Sequence, residues 1–464
     1  MSEGTPIPLA SGPARRPGLP LGIGRGRTGI ILRLALPAVG EQLLNMAVGL
    51  VDTFLVGHLG AASITAVSIS NQVVMLAHVL MSAVATGSTA LIARAVGGED
   101  VRTASRTANQ SILIGAVIGF FVTAVTVPLA PQAVRLMGAV DDALPLGATY
   151  LGIVSCTFLL STWMFMGLAC LRGAGDTMST MRIMMLVNAI NIAVAATLIY
   201  GPFGLPKLGV AGSAIGAATA RGVGGLVVLA MLARGRAGLR ISLKAMRPDL
   251  QTIVRILRVG VPTGVEQMLF RLADMSYFRV VASLGTVACA AHAVALNAQS
   301  LSFSPGFGFA IAATTLVGQG LGAGDAKRAE SDGYLVFRIA GVLMGIMAVV
   351  FFLFSRQIMG FFTGEREVIA LGAGPMRLVA LAQPALAASM VFSGALRGAG
   401  DTRFPMFSNG VGVFLVRFGL ALFFVEVLGL GLMGAWYALG LDWGLRGLFN
   451  YLRFRSGVWK KIQV

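Results

Sequence analysis

Long apolar stretches are the feature that most constrains what this chain can fold into. Apolar segments of 20 or more residues recur from residue 29 to about residue 451, and a helix needs about 20 such residues to cross a bilayer. Only 12% of the residues are charged, whereas a soluble domain carries about 25%. The sequence therefore predicts an all-α membrane protein. We count twelve spans, at about 30–56, 62–93, 108–130, 145–170, 178–200, 208–233, 253–283, 287–318, 334–358, 370–394, 403–428 and 432–453.

The chain also contains two copies of one unit. The heptapeptide LRGAGDT begins at Leu171 and again at Leu396, 225 positions later, and the same offset brings Glu41 onto Glu266. Each copy holds six predicted spans, an even number, so both copies enter the membrane in the same orientation. We therefore expect two six-helix lobes related by a pseudo-two-fold axis along the membrane normal. Parallel repeats of this kind occur in secondary transporters, whose substrate site lies between the halves.

The basic residues indicate how the chain is oriented. The net charge is +17, and with the N-terminus inside, most Arg and Lys residues fall in cytoplasmic segments, as the positive-inside rule requires. We expect a multi-pass inner-membrane protein with both termini in the cytoplasm. No soluble basic domain is present to bind nucleic acid. The predicted parts are a disordered cytoplasmic tail (1–28), an N-lobe (29–233), a cytoplasmic linker (234–252), a C-lobe (253–453) and a cytoplasmic C-terminal tail (454–464).

The repeated heptapeptide is predicted to form a tight turn on the cytoplasmic side. Gly173 and Gly175 can adopt positive φ values and end one helix. Asp176 or Thr177 can then cap the N-terminus of the next helix. The alternative is a role in gating, or in locking the two halves together.

Three motifs resemble a known family. They are PAVGEQ from Pro37, VDTFLVGHLG from Val51, and the two LRGAGDT segments. Over about residues 30 to 453 the chain resembles the multidrug and toxic compound extrusion (MATE) transporters. The resemblance implies twelve helices in two lobes that form a V. It also implies export of organic, mostly cationic compounds in exchange for protons or sodium ions.

Two acids in the first span are candidates for ion coupling. A carboxylate at bilayer depth costs about 2.5 kcal/mol or more, so each needs a reason to be there. Glu41 and Asp52 are 11 residues apart, which places them on nearly the same helix face, roughly 16 Å apart along the axis. Asn45 lies one turn from Glu41. The stripe suits a path for cations or protons, and the resemblance links Asp52 to cation coupling in the first lobe.

The fifth span carries a polar pair that belongs to the same predicted site. Asn188 and Asn191 are one turn apart on one face, and we expect both in the polar cavity. Many members of the family have an acid four residues after the second Asn, where this chain has Ala195. This departure weakens a sodium site, which needs several charged ligands. A proton site remains, because one carboxylate suffices for it.

The second lobe differs from the first at the corresponding positions. Glu266 matches Glu41, but Tyr277 stands where the first lobe has Asp52. The resemblance implies a functional acid on the seventh helix, which is either Glu266 or Asp274. Glu41 and Glu266 alternatively share a structural role.

Other charges in the second lobe suggest ion pairs. Arg271 and Asp274 are adjacent on one helix, and a salt bridge between them is the simplest prediction. Asp442 and Arg446, at i and i+4, are expected to pair in the same way. Arg417 is either a partner for a second-lobe acid or a gate across the cavity.

These predictions combine into a secondary active antiporter. Protons from outside protonate Asp52, with Glu41 as a second candidate, and the first lobe then expels an amphipathic organic cation from an acidic, apolar cavity. We expect a monomer in the lipid bilayer without cofactor or bound metal, and H⁺ as coupling ion with Na⁺ as the alternative. A lipid-linked oligosaccharide flippase of the same superfamily is the alternative function, disfavoured because it needs a strongly cationic cavity. No clustered catalytic motif such as HExxH suggests an enzyme.

Overall fold

A computed structural model describes residues 26–139, 142–201, 207–242 and 246–462. The predicted disordered tail therefore lies outside the described residues, up to residue 25. The described part is helical, and the helices are α1 (Arg27–Gly57), α2 (Ala61–Gly97), α3 (Val101–Leu136), α4 (Ala143–Cys156), α5 (Phe158–Gly173), α6 (Thr177–Tyr200), α7 (Val210–Ala233), α8 (Leu250–Ala282), α9 (Thr286–Gly322), α10 (Ala326–Leu353), α11 (Ser355–Phe362), α12 (Arg366–Gly398), α13 (Arg403–Val411), α14 (Gly419–Leu422) and α15 (Gly431–Arg455).

Each of the twelve predicted spans coincides with a helix or a short run of helices. Within the described ranges, nine helical segments are long and apolar enough to cross a membrane, and the bent pair α4–α5 makes a tenth. The remaining two, α8 and α15, span 33 and 25 residues but carry charged residues along their length. A water-free environment requires every backbone group to bond within its own segment, so a continuous helix is the expected solution.

Three of the twelve predicted spans are not single regular helices. The predicted span 334–358 passes from α10 into α11 at Phe354. The predicted span 145–170 breaks between α4 and α5, which are bent by 56°. The predicted span 403–428 starts as α13 and passes into two π-helical stretches, Gly412–Phe418 and Phe423–Val427. Such π-helical turns are rare and are frequently found at functional sites. Here the first of them carries Arg417, whose ion pairs are described below.

The lobes meet on the pseudo-two-fold axis at the C-terminal ends of α2 and α9. A Cβ atom on Gly97 would lie 2.0 Å from the carbonyl oxygen of Gln319, and one on Gly322 would lie 1.9 Å from that of Arg94. The offset of 225 relates Gly97 to Gly322 and Arg94 to Gln319. The two contacts are therefore equivalent, with the roles of the lobes exchanged. Only glycine allows the two backbones to approach this closely.

The part of each lobe's first helix that precedes its proline packs into the other lobe. Ile31 and Leu34 of α1 belong to a buried cluster built mainly from the second lobe. Their counterparts Ile256 and Val259 of α8 belong to the first lobe's core. The next turn of each helix contains Pro37 or Pro262, where the proline removes a backbone hydrogen bond and favours bending. The two lobes are thus interlocked at this end of the molecule.

Candidate functional site

The two equivalent glutamates are buried and paired with the two equivalent arginines of the heptapeptide. Arg172 Nη1 lies 2.6 Å from Glu41 Oε1, and Arg397 Nη2 lies 2.7 Å from Glu266 Oε1. Both glutamates are 1% exposed. Each also accepts a second hydrogen bond from the next helix: Thr180 donates to Glu41 at 2.7 Å, and Asn409 donates to Glu266. The repeat in the sequence therefore corresponds to a repeated buried ion pair.

The heptapeptide forms the predicted turn in both copies. Gly175 and Gly400 have φ values of +86° and +84°. Asp176 accepts a hydrogen bond from the Ser179 backbone N–H at 3.1 Å and so caps α6. Gly173 remains helical, and the prediction of positive φ was wrong for it. Its small size serves packing instead, since a Cβ there would lie 2.7 Å from the Thr89 carbonyl oxygen.

The turn also contacts the opposite lobe. The hydroxyl of Thr315 on α9 donates to the Arg172 carbonyl oxygen at 2.9 Å, and Gln319 donates to the Gly173 carbonyl at 3.4 Å. At the same end, Arg94 of α2 donates to the Ile462 carbonyl at 3.0 Å. The first-lobe turn thus takes part in holding the two lobes together.

Asp52 is the exception among the buried acids. Six carboxylates are buried in the described part of the chain, and five of them have a salt-bridge partner. Asp52, which is 8% exposed, has none and accepts one hydrogen bond, from Asn191 Nδ2 at 2.8 Å. Asn191 Oδ1 is itself buried without a hydrogen-bond partner. Arg221 on α7 acts on Asp52 electrostatically but is not within ion-pair distance.

The other predicted polar residues of the first lobe do not join Asp52. Asn188 is buried, and its amide donates to the Met184 carbonyl of its own helix at 2.7 Å. Asn45 is exposed and forms no hydrogen bond with Glu41. Ala195 is fully buried. A Cβ atom built on Gly216 of α7 would lie 2.7 Å from the Cβ atom of Ala195. An acidic side chain at residue 195 would not fit against α7.

In the second lobe, Arg417 joins two acids. It lies 2.6 Å from Asp274 and 2.8 Å from Asp442, so of the two roles considered for it, the structure shows partnership with acids. Arg446 lies 2.6 Å from Asp442, as its spacing predicted. The predicted pair of Arg271 with Asp274 was wrong, because Arg417 from another helix binds the Asp274 carboxylate instead.

The second lobe contains a cavity of about 610 Å³. Tyr277 and His292 lie in its wall, 5.6 Å apart between ring centres. Its charged lining comprises two carboxylates and four guanidinium groups, from Glu266, Asp274, Arg271, Arg397, Arg417 and Arg446. The expectation of an acidic cavity was therefore wrong for this lobe. In the part of the chain that the structure describes, no three His, Cys, Asp or Glu side chains converge as a metal site would require.

Comparisons with known proteins agree with this geometry. The MatE family pattern matches residues 37–197 and 262–423, one segment in each lobe. A probable multidrug resistance protein, NorM of Thermotoga maritima, is 32% identical over 436 residues, 93% of either chain. The uncharacterized transporter YisQ of Bacillus subtilis is 29% identical and is matched over 93% of this chain and 95% of its own.

Solved structures share the fold. An outward-facing multidrug resistance MATE family transporter of the MOP superfamily superposes with a TM-score of 0.87 at 23% identity, over 95% of this chain and 98% of its own. A crystal structure of MATE in the bent conformation gives a TM-score of 0.86 at 24% identity, over 93% and 95% of the two chains. Both relatives are built from two lobes, as this chain is.

Proposed function

Since this chain belongs to the MatE family of multidrug efflux transporters, we propose that it is a secondary active antiporter that exports small organic compounds in exchange for protons. We place it in the inner membrane with both termini in the cytoplasm, following the distribution of its basic residues, and the monomer stays a prediction. The observation that carries the coupling proposal is the state of Asp52, a buried acid without a salt-bridge partner in the described part of the chain.

The chemistry of the Asp52–Asn191 pair favours a proton as the coupling ion. A carboxylic acid and a primary amide can pair through two hydrogen bonds, one in each direction. The amide already donates to Asp52 Oδ1, and the unpartnered Asn191 Oδ1 is the acceptor that a protonated Asp52 needs. Proton uptake then removes a buried charge and satisfies a buried acceptor in the same step. Sodium would need further oxygen ligands around Asp52, and Ala195 takes the place of one.

The position of Asp52 explains how a proton could alter the lobe. Asp52 and Glu41 lie on one stripe of α1, and both bond to α6, at Asn191 and Thr180. Near Glu41 the hydrogen bond from Thr180 links α1 to α6, and the ion pair with Arg172 also ties α1 to α5. Near Asp52 the links are the Asn191 hydrogen bond and, one turn on, a bond from Tyr200 to the Leu55 carbonyl. The strength of the Asn191 bond depends on the charge of the carboxylate. Protonation therefore changes the contact between α1 and α6 at one end of the stripe only.

The alternatives are less well supported. The resemblance implies mostly cationic cargo, and this class stays a prediction. A flippase for lipid-linked oligosaccharides is not favoured, because curated relatives such as the Thermotoga maritima protein are named as probable multidrug resistance proteins. A transport role for those relatives also agrees with the prediction that this protein is not an enzyme.

Asp52→Asn tests the coupling. The substitution keeps the size and hydrogen bonding of the side chain but cannot take up a proton. In inside-out vesicles that contain the full chain, we expect the wild type to accumulate ethidium when the lumen is acidic. In D52N the rate of this pH-driven uptake should fall by at least about tenfold. Glu426→Gln, which neutralises an exposed acid, is the matched control and should behave as wild type.

Two results would contradict this proposal. Full pH-driven uptake by D52N would exclude Asp52 as the coupling group. Uptake by the wild type that follows an imposed sodium gradient and ignores a pH gradient would establish the sodium alternative.

A further inference from the structure

One guanidinium group in the second-lobe cavity has no acid to neutralise it. Arg271 lies on α8, lines the cavity and is exposed. No carboxylate in the described part of the chain comes within salt-bridge distance of it, and the neighbouring Asp274 is bound by Arg417. Arg397 is paired with Glu266.

The other charges of the cavity are all held in salt bridges. Asp442 is 0% exposed and binds both Arg417 and Arg446, at 2.8 and 2.6 Å. With Asp442 included, the cavity and its immediate surroundings hold four guanidinium groups and three carboxylates. One positive charge is therefore in excess, and it belongs to Arg271. A ligand that enters this cavity meets a cation with free hydrogen-bond donors.

The remaining wall suits an aromatic compound. Ligand pockets typically measure about 300 to 1,000 Å³ and are lined mainly by apolar and aromatic groups with a few polar ones, and this cavity of about 610 Å³ fits that range. Its aromatic side chains are Phe270, Tyr277, Phe278, Phe303, Phe307 and Trp443.

The wall also offers polar atoms that are buried without a partner. Gln299 Oε1, Tyr277 OH and Ser393 Oγ have no hydrogen-bond partner in the described part of the chain. Their residues are only 4–5% exposed. Buried polar groups are normally hydrogen-bonded, so this wall holds polar side chains whose bonding capacity is unused in the described part of the chain.

We infer that this cavity binds an aromatic compound that carries an acidic group, and that Arg271 binds that group. The planar fork of a guanidinium matches a carboxylate through two parallel hydrogen bonds. The inference rests on the proposed export of small organic compounds and names the class of compound. It departs from the mostly cationic class that the family resemblance implies.

A matched pair of dyes tests the inference. A rhodamine with a free carboxyl group and the methyl ester of the same rhodamine share one aromatic body and differ in that acidic group. Binding of each is measured by fluorescence anisotropy with the full-length protein in lipid nanodiscs. We expect the wild type to bind the acid more tightly than the ester. In Arg271→Gln, affinity for the acid should fall by about tenfold or more, as expected for loss of one charge-assisted pair, while affinity for the ester stays within twofold.

Two further variants separate this role from a structural one. Arg279→Gln removes another exposed arginine of α8 that does not line the cavity, and it should bind both dyes as the wild type does. Arg271→Lys keeps the charge but loses the fork, so it should retain part of the preference for the acid.

The inference is overturned if Arg271→Gln weakens both dyes equally or neither, if the ester binds as tightly as the acid, or if the wild type binds neither dye. Binding is measured without an ion gradient, so failure of proton coupling at Asp52 would leave the result unchanged. Conversely, failure here would leave the coupling proposal intact.

Discussion

Removal of Arg172 should destabilise the protein far more than removal of an exposed arginine. Glu41 is 1% exposed, and in Arg172→Ala it loses its ion pair and keeps only the hydrogen bond from Thr180. Breaking a buried ion pair by removing one partner costs about 3–5 kcal/mol, because the remaining charge is buried and uncompensated. Arg236→Ala is the control: it breaks the Asp176–Arg236 pair, whose arginine side chain is 49% exposed, and such surface pairs contribute about 0–1 kcal/mol.

A double variant tests whether the uncompensated charge of Glu41, and not the loss of the arginine side chain itself, lowers the stability. In the double variant Glu41→Gln/Arg172→Ala the buried charge is gone, so most of the lost stability should return. Glu41→Gln alone should cost less than Arg172→Ala, because the Arg172 side chain is 13% exposed and its length lets it reach polar surroundings.

Chemical unfolding of the purified protein in detergent micelles, followed by circular dichroism, measures these differences. We expect the free energy of unfolding to differ by about 3 kcal/mol between Arg172→Ala and Arg236→Ala. The reasoning would be refuted if the two single variants were equally stable, or if the double variant were as unstable as Arg172→Ala.

Two further predictions concern the lobe contact and the second-lobe network. Gly97→Ala or Gly322→Ala places a Cβ atom about 2 Å from a backbone oxygen, so we expect the ends of α2 and α9 to separate and cysteines placed there to become more accessible to a water-soluble maleimide. Gly49→Ala, with no atom within 4 Å, should change nothing, and unchanged accessibility in the first two variants would contradict the prediction. Asp442→Asn leaves Arg446 buried without an acid and should cost about 3–5 kcal/mol in the same unfolding assay; a loss below about 1 kcal/mol would contradict this expectation.

Interactions within one helix were only partly predictable. The i, i+4 pair of Asp442 with Arg446 is present, as its spacing indicated. The pair of Arg271 with Asp274 was expected on the same grounds and is absent. Adjacency on a helix makes a pair possible but contributes only a few tenths of a kcal/mol. A better-placed guanidinium from another helix, here Arg417 at 2.6 Å, therefore decides which pair forms.

The buried pairs between helices could not be predicted from the sequence. The sequence placed Glu41 in the first span and Arg172 in the turn after the fourth span, and nothing in it joined the two. The pairing depends on how each helix is rotated and shifted along its axis. In the first lobe, Glu41 and Asp52 bond to residues 139 positions later. In the second lobe the corresponding separation is 143, a shift of about one helical turn.

The sequence by itself determined the twelve helical spans, the duplication and the two-lobed plan. These follow from local requirements: a bilayer needs about 20 apolar residues per span, and backbone groups in lipid must bond within their own helix. Only the tertiary structure decided that Glu41 and Glu266 are neutralised, while Asp52 and Arg271 have no ion-pair partner among the residues described. Whether a buried charge is neutralised depends on which side chains lie within about 4 Å of it, and helix packing sets those distances.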